Sequence, residues 1–240
     1  MARKDGKERI IKFIWHSMAR VFCAIVACGS CRVRAYGMKN VPRGRAVLIL
    51  CNHQSYFDPF FSQSWFIRHF YFVARESLYS IKIIGPLLRS LFVIPIRRGE
   101  GDIAAMRAII TKLKAGRTVC LYPEGTRSYD GKIAEVQAGF GLLSRRGNAD
   151  IVPAVIEGAF ECWPRNQKWP KPRKVCVMYG EPIPVEEVAR LGDREFAKVL
   201  TQKLRTMHNE LRRKMGRTPF DYRQTETTAA TAGTTEGTNQ

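Results

Sequence analysis

The sequence is poor in acidic side chains. Its 240 residues hold 21 Asp and Glu against 40 Lys and Arg, which leaves a formal net charge of +19. A charge of this size carries no information about the fold, but it indicates an anionic partner: a nucleic acid, a membrane surface or a phosphorylated substrate. The excess is concentrated in residues 1–45, where eleven Lys or Arg stand against two acids.

The sequence also lacks an uninterrupted apolar stretch of the length that a transmembrane helix needs, about 20 residues. Residues 10–31 are strongly apolar but are interrupted by Lys12, His16 and Arg20. These three residues are spaced four apart, so a helix places them on one stripe. We therefore predict that residues 1–34 form a basic amphipathic segment that lies in the headgroup layer of an anionic membrane. The alternatives are a solvated basic arm and a helix that covers the core of its own domain.

The seven cysteines lack the spacing of a zinc site or a disulfide framework. Cys28 and Cys31 have CxxC spacing, but no second Cys pair or His pair accompanies them. No signal peptide precedes the cysteines, and Cys51, Cys120 and Cys176 lie within apolar runs. This distribution is typical of reduced thiols in a protein core. We expect neither a bound metal nor a cofactor.

Strands and helices alternate through the middle of the chain. Apolar runs predict strands at AVLILC, YFVAR, FVIPI, TVCLY, IVPAVIEG and KVCVMYG. Helices are expected from Asp58 to about Arg68, in IAAMRAIITKLK after a capping Asp102, in EVQAGFGLLSRRG, and around residues 196–211. Residues 35–218 are therefore predicted to form an α/β domain with a largely parallel, helix-covered sheet. Residues 219–240 are predicted to be a disordered, Thr-rich tail.

A His and an Asp lie five residues apart in the turn that follows AVLILC. In parallel α/β sheets, functional groups collect in the turns after the carboxyl ends of strands. If Asp58 folds back onto one ring nitrogen of His53, it fixes the tautomer and leaves the other nitrogen free to accept a proton. The pair is thus a candidate general base that needs no Ser or Cys nucleophile. The alternative is that Asp58 caps a helix and His53 is an incidental turn residue.

A second unusual turn, PEGTRS, follows TVCLY. Gly125 allows the backbone to approach a ligand closely, and Arg127 offers a planar fork that suits phosphate oxygens. The strand FVIPI ends in Arg97 and Arg98. Together these residues predict an anion pocket next to the candidate base, with a solvated loop as the alternative.

The order of these motifs resembles the lysophospholipid acyltransferase family, also called the 1-acyl-glycerol-3-phosphate acyltransferase family. The resemblance rests on NHxxxxD, a strand that ends in Arg, PEGTRS and a strand that carries VP, in that order. It covers roughly residues 35–190 and includes Gly139 and the segment 180–182, Gly-Glu-Pro. That family transfers an acyl chain from acyl-CoA or acyl-carrier protein to a lysophospholipid, typically lysophosphatidate, which gives phosphatidate.

The resemblance implies a role for particular residues. It makes His53 the general base and Asp58 the residue that orients it. It assigns substrate binding to Arg98, Glu124, Gly125, Thr126 and Arg127, and it places Pro153 at the acyl-chain end of the site. Two positions depart from the family pattern: Phe92 stands where Gly is common, and Arg97 stands where Asp is frequent.

The resemblance also implies partners and a location. The expected co-substrate is acyl-CoA or acyl-carrier protein, the expected surface is an anionic membrane, and the expected location is the cytoplasmic face of the cell membrane. Alternative acceptors are an ornithine lipid, another lysophospholipid or a small alcohol. A basic nucleic-acid-binding protein is a further alternative, because a charge of +19 suffices for non-specific binding. The aromatic residues count against it, since they lie in apolar runs and are not interleaved with Arg and Lys.

Overall fold

The computed structural model describes residues 31–222, apart from residues 67, 83, 90 and 98–101, together with the isolated residues 15, 18, 21, 25 and 29. Most of the predicted amphipathic segment and the tail after residue 222 therefore lie outside the described residues. Seven strands are present: β1 Arg32–Tyr36, β2 Val47–Cys51, β3 Phe70–Arg75, β4 Val93–Ile96, β5 Thr118–Leu121, β6 Asp150–Glu157 and β7 Lys174–Tyr179. Within residues 31–222 the structure describes seven α-helices: α1 Asp58–Gln63, α2 Ile84–Arg89, α3 Ile103–Lys114, α4 Phe140–Gly147, α5 Ala159–Cys162, α6 Val185–Leu191 and α7 Asp193–Lys214. Short 3₁₀ helices occupy Met38–Asn40 and Glu76–Ser80.

All seven strands belong to one sheet, in the order β1-β7-β6-β2-β5-β3-β4. The strands from β6 to β4 run parallel to one another, and only the pair formed by β1 and β7 runs in the opposite direction. The predicted α/β fold with a largely parallel, helix-covered sheet is therefore confirmed. The analysis missed β1 because its sequence, RVRAY, alternates charged residues with apolar ones at the sheet edge and contains no buried apolar run.

The central strand β2 is buried on both faces, as expected for a strand with helices on either side. Leu48 and Leu50 pack into the larger core, which α3, α4, α6 and α7 cover. Val47, Ile49 and Cys51 point to the other face, which α1 and α5 cover. The alternation of side chains along a strand thus separates the two cores.

Two predicted helices are shorter than their sequences suggested. The helix α1 ends at Gln63, not near Arg68, because the chain turns there and the Arg68 side chain donates to the Pro42 carbonyl at 2.6 Å. The helix α4 begins at Phe140, not at residue 135. The segment before it is held extended by two hydrogen bonds, from the Val136 amide to Thr201 Oγ1 at 3.0 Å and from the Gln137 amide to the Pro123 carbonyl at 3.0 Å. In contrast, α3 begins as predicted, and Asp102 accepts a hydrogen bond from the Ala105 amide at 3.0 Å.

Both predicted ends of the domain need correction. The strand β1 begins at Arg32, so residues 32–34 belong to the sheet and not to the amphipathic segment. The predicted tail begins too early, since Tyr222 is buried and its hydroxyl lies 2.7 Å from His208 Nδ1. A single aromatic residue that packs against the domain can hold a segment in place, even when the residues around it have few apolar side chains. Within the described part of the chain, no helix has both the length and the apolar character needed to cross a bilayer.

Candidate active site

The candidate site lies at the carboxyl edge of β2, between the ends of β5 and β6. His53 follows β2 by two residues, and Glu124 follows β5 by three. Because Leu50 of β2 is level with Leu121 of β5, the two predicted motif turns leave the sheet side by side. The parallel pairing of these strands is what brings the two motifs together.

His53 and Asp58 form a direct hydrogen bond across their turn. His53 Nδ1 lies 2.7 Å from Asp58 Oδ2. The side chain of Asp58 is fully buried, whereas 21 % of the His53 side chain is exposed. The imidazole is therefore accessible to a substrate, while the carboxylate behind it is not.

The backbone around Asp58 determines how the pair is protonated. Asp58 Oδ2 also accepts hydrogen bonds from the amides of Gln54, at 2.6 Å, and Ser55, at 2.7 Å. An oxygen that receives two amide donors acts as a carboxylate oxygen, so the hydrogen between it and the ring belongs to His53 Nδ1. The lone pair of His53 Nε2 is then free to accept a proton. Asp58 is the first residue of α1, but its side chain accepts hydrogen bonds from the turn that precedes the helix.

Tyr122 is a neighbour of His53 that the sequence analysis missed. Its ring stacks on the imidazole with 4.0 Å between the ring centroids and 15° between the ring planes. Burial raises the pKa of Tyr122 well above its usual range, so the phenol stays neutral. The stack fixes the plane of the imidazole and excludes solvent from one of its faces. The sequence did offer a signal for Tyr122, because this residue lies directly before PEGTRS and at the end of a buried strand.

The Glu124 carboxylate joins the two motif turns. Its Oε1 accepts from the His53 amide at 2.8 Å, and its Oε2 accepts from the Ala134 amide at 2.9 Å. Only 6 % of the residue is exposed. Burial raises the pKa of Glu124 to about 7, against the opposing effect of the two amide hydrogen bonds. Both oxygens are thus occupied by the protein's own backbone.

Arg127 lies over the turn that carries the candidate base. The Ser128 amide donates to the His53 carbonyl at 2.7 Å, which places Arg127 beside that turn. The Arg127 guanidinium lies 3.4 Å from the centroid of the Tyr56 ring. Its Nη1 is buried and has no hydrogen-bond partner among the described residues. A buried, unpartnered guanidinium nitrogen next to an accessible imidazole is suited to hold an anion.

Three further residues that were predicted to bind substrate are Gly125, Thr126 and Pro153. Gly125 has φ +70°, and a Cβ there would lie 2.7 Å from the Gln137 side chain, so the turn itself requires glycine. Thr126 Oγ1 accepts from Arg165 Nη1 at 3.3 Å. Pro153 is buried in β6 and pairs with Leu50 of β2, which is level with Leu121 at the end of β5, so it lies in the strand beside the two motif turns.

The predicted pair of Arg residues after β4 is only partly described. Arg98 lies outside the described residues. Arg97 is exposed and pairs with Glu76, with 2.5 Å between Arg97 Nε and Glu76 Oε2. Its amide donates to Asp102 Oδ2 at 2.7 Å. The Arg97 side chain therefore forms a surface ion pair with Glu76 in this structure.

Two amide side chains connect the His53 turn to β6, and the sequence analysis did not assign a role to either. Asn52 Nδ2 donates to the Ile156 carbonyl at 3.0 Å, and Asn52 Oδ1 accepts from the Ile156 amide at 2.7 Å. Gln54 Oε1 accepts from the Phe160 amide at 3.3 Å. Asn52 therefore extends the pairing of β2 and β6 by one residue through its side chain, which holds His53 at the sheet edge. The sequence signal for Asn52 was that a polar amide side chain follows a fully buried strand immediately.

The bond between His53 and Asp58 is the arrangement expected for base-assisted attack by a hydroxyl group. Comparison with known proteins identifies the family. A family model described as Acyltransferase matches residues 32–157, which is more than half of the chain. The chain belongs to this acyltransferase family. It is therefore an enzyme, and the matched residues include β1, both motif turns and β6.

Individual relatives of this acyltransferase have more specific names. The 1-acyl-sn-glycerol-3-phosphate acyltransferase of Bacillus subtilis is 24% identical over 184 residues, which covers 76% of this chain and 89% of that protein. A chloroplast 1-acyl-sn-glycerol-3-phosphate acyltransferase of Arabidopsis thaliana is 25% identical over 152 residues, and the match spans 42% of its length. The crystal structure of the 1-acyl-sn-glycerophosphate acyltransferase PlsC of Thermotoga maritima superposes with a TM-score of 0.72 at 25% identity, with 86% of this chain and 83% of that chain covered.

Proposed function

We propose that this acyltransferase moves a fatty acyl chain from acyl-CoA or acyl-carrier protein to the hydroxyl group of a lysophospholipid. The proposed acceptor is 1-acyl-glycerol-3-phosphate, and the product is phosphatidate. The observation that carries the proposal is the bond between His53 Nδ1 and buried Asp58, which leaves Nε2 free, together with the buried and unpartnered Nη1 of Arg127 beside the same turn. The relatives named for this reaction support the choice of acceptor.

In the proposed reaction, His53 acts directly on the acceptor hydroxyl. Nε2 takes the hydroxyl proton as the oxygen attacks the thioester carbonyl carbon, so a new C–O bond forms. Asp58 stabilises the imidazolium that results, because its carboxylate is the partner of Nδ1–H. The C–S bond then breaks, and the imidazolium returns its proton to the departing thiolate. The products are the ester and a free thiol, with no acyl-enzyme intermediate.

Positioning of His53 is the proposed role of Glu124. The family resemblance assigned Glu124 to the acceptor, but its two oxygens accept from the amides of His53 and Ala134. A carboxylate in this position holds the two motif turns at a fixed spacing. Proximity and orientation of this kind supply a large part of enzymatic rate enhancement.

Two Arg residues are proposed to hold the acceptor phosphate. Arg127 lies beside the base, and Arg98 follows β4, which is three strands away from β2 in the sheet order. At about 4.8 Å per strand, β4 lies about 14 Å from β2. In this proposal an acceptor whose hydroxyl lies at His53 has its phosphate at Arg127, and the part of Arg98 in phosphate binding rests on the family resemblance.

The membrane surface is the proposed location of the reaction. Residues 15, 18, 21, 25 and 29 are helical, and the side chains of Trp15, Met18, Val21 and Ile25 are exposed. At 100° per residue these four residues fall within about one third of the helix circumference. An exposed apolar stripe on a basic segment supports binding to the headgroup layer of an anionic membrane, at the cytoplasmic face. The lipid substrates are then supplied from the same surface.

Release of free thiol from acyl-CoA tests the proposal. We expect release by the purified enzyme to depend on added lysophosphatidate and to stop in a folded His53→Ala variant. A lyso-ornithine lipid and lysophosphatidylcholine are the comparison acceptors. Equal thiol release without an acceptor would show a thioesterase, and faster release with a comparison acceptor would contradict the proposed substrate.

A further inference from the structure

The connection between α5 and β7 has an unusual composition. Residues 163–173, WPRNQKWPKPR, hold two Trp, three Pro and four Lys or Arg, and no Asp or Glu occurs between Glu161 and Glu181. Its ordered contacts are few but specific: Trp163 Nε1 donates to the Gln167 carbonyl at 3.0 Å, and the Gln167 side chain donates to the Trp169 carbonyl. We name residues 163–173 the basic aromatic loop.

The front of the basic aromatic loop packs against the entrance of the active site. The Trp163 ring lies 4.7 Å from the Phe57 ring and 5.0 Å from the Tyr56 ring, measured between centroids. The Arg165 guanidinium lies 4.7 Å from the centroid of the exposed Tyr129 ring, on the PEGTRS side of the entrance. The loop therefore flanks the entrance and contacts both motif turns.

The rear of the basic aromatic loop meets the start of the domain. The Arg32 amide donates to the Arg173 carbonyl at 3.0 Å. Cys31 Sγ lies 2.9 Å from Cys162 Sγ, and the Lys171 amide donates to the Cys162 carbonyl at 2.7 Å. The loop thus lies beside Cys31 and the first residue of β1.

The centre of the basic aromatic loop presents an indole and cations to solvent. The Trp169 side chain is 72% exposed, and Lys168 and Lys171 are exposed on either side of it. An exposed Trp is costly in water but favourable at the headgroup level of a bilayer, where its ring is half apolar and half polar. Basic side chains near an anionic bilayer each contribute about 1 kcal/mol.

We propose that the basic aromatic loop is a second contact with an anionic lipid surface, with Trp169 inserted at headgroup depth between Lys168 and Lys171. Together with the N-terminal segment it forms a two-point attachment that turns the entrance of the His53 site toward the bilayer. Charge alone would equally suit an acidic protein. The exposed indole favours lipid.

Vesicle binding by the full-length chain tests this surface, independently of acceptor identity. The variants are Trp169→Ala and the double change Lys168→Glu with Lys171→Glu. The matched control is Lys114→Glu with Lys198→Glu, which changes the same net charge at exposed positions of α3 and α7, on the opposite face of the sheet from α5. Binding is measured by co-sedimentation with phosphatidylcholine vesicles, with and without phosphatidylglycerol.

We expect the double charge reversal to weaken binding to anionic vesicles at least about tenfold, because two attractive charges become repulsive. Trp169→Ala should also weaken binding, because it removes the indole that inserts at headgroup depth. The control should bind like the wild type, and brominated lipid should quench wild-type Trp emission more than that of Trp169→Phe. Thiol release with a water-soluble acyl-CoA and a short-chain monomeric acceptor should be unchanged in the loop variants, so a failed surface and a failed reaction give different results.

Unchanged vesicle binding in both loop variants would overturn the proposal. An equal loss in the control would also overturn it, because it would show an effect of net charge alone. Unchanged vesicle binding with a raised KM for acyl-carrier protein, but not for acyl-CoA, would assign the loop to an acidic protein partner.

Discussion

Asp58 Oδ2 accepts hydrogen bonds from His53 and from two amides, and this arrangement makes the His–Asp pair act as one unit. We expect His53→Ala and Asp58→Ala each to lower kcat by about 10²–10⁴-fold, the usual contribution of a general base. The double variant should lose little more than the worse single variant, because either change removes the same device. Acyl transfer under saturating substrates measures the effect, with folding checked by circular dichroism. A double variant whose losses multiply would show that the two residues act separately.

We expect Glu124 to need its carboxylate for activity, because its two oxygens accept hydrogen bonds from two amides. In Glu124→Gln the NH₂ group faces one of these amides, and we expect kcat to fall while KM changes little. Glu124→Asp is the matched control for charge: it keeps the carboxylate but is too short to bridge both amides. A raised KM with unchanged kcat in Glu124→Gln would instead place Glu124 at the acceptor.

The raised pKa of Glu124 also predicts a pH dependence of stability. Since its pKa is about 7 in the folded state and 4.5 in the reference state, the folded protein binds this proton more tightly than the unfolded chain. Its contribution to the unfolding free energy is full below about pH 4.5 and is lost as the pH rises toward 7. We expect the Tm of the wild type, relative to Glu124→Gln, to fall across this interval. A constant difference in Tm across the interval would mean that Glu124 does not titrate there.

Arg127 is expected to act on acceptor binding. A hydrogen bond to a charged group contributes about 1.5–3 kcal/mol, so Arg127→Ala should raise KM for lysophosphatidate by roughly 10- to 100-fold with a smaller change in kcat. Arg127→Lys keeps the charge but loses the planar fork above Tyr56, and we expect an intermediate KM. An Arg127→Ala variant with wild-type kinetics would remove this residue from the acceptor site.

At the scale of elements, the carboxyl end of β6 and the helix α7 are joined by a buried ionic cluster. Glu157 Oε2 lies 2.6 Å from His208 Nε2, and Glu157 Oε1 accepts from Arg212 and Arg217. Tyr222 completes the cluster through His208 Nδ1, and burial raises its pKa. The cluster therefore attaches α7 and residues 217–222 to the strand that flanks the His53 turn.

Removal of the Glu157 carboxylate should destabilise the protein severely. Glu157→Ala leaves the buried His208 ring and the partly buried Arg212 without their shared acceptor, and we expect a loss of about 3–5 kcal/mol in the free energy of unfolding. Glu161→Ala is the control, since Glu161 pairs with the same Arg217 but is exposed, and a loss of about 0–1 kcal/mol is expected. Urea unfolding measures both. Equal losses in the two variants would contradict the importance of burial.

The same cluster predicts acid sensitivity. Although burial opposes it, His208 and the Arg partners lower the pKa of Glu157 to about 2, below its reference value of 4.5. The stability that Glu157 contributes is therefore present above about pH 4.5 and is lost as the pH falls toward 2. This interval lies below that of Glu124, so the two contributions can be separated by the pH of the measurement.

At the scale of the whole molecule, the net charge of +19 favours binding to anionic surfaces. Deletion of residues 2–30 removes much of the predicted amphipathic segment and keeps Cys31 and all of β1. We expect the shortened protein to bind anionic vesicles more weakly at low salt and to keep its native circular dichroism spectrum. Binding by the full chain should weaken as salt rises, because the attraction is screened. Equal binding by both proteins would place the membrane contact elsewhere.

The sequence by itself indicated the order of the strands from β2 to β7 and proposed His53 and Asp58 as a pair. Buried apolar runs mark the central strands, Asp102 marks the start of α3, and the spacing of His53 and Asp58 is a local property of one turn. Local signals of this kind depend on residues close in the chain, so they are visible without the fold.

Only the tertiary structure decided which turns meet and what each side chain does there. The pairing of β2 with β5 and β6 joins Glu124 to the His53 amide across 71 residues, and it joins Asn52 to Ile156 across 104. In the folded structure the Glu124 side chain is buried, and Nη1 of Arg127 is buried without a hydrogen-bond partner among the described residues. The pairing of β6 with β2 also placed Pro153 level with Leu50, three residues before His53. The physical reason is that hydrogen bonds between distant residues depend on strand order and register, which no short sequence pattern specifies.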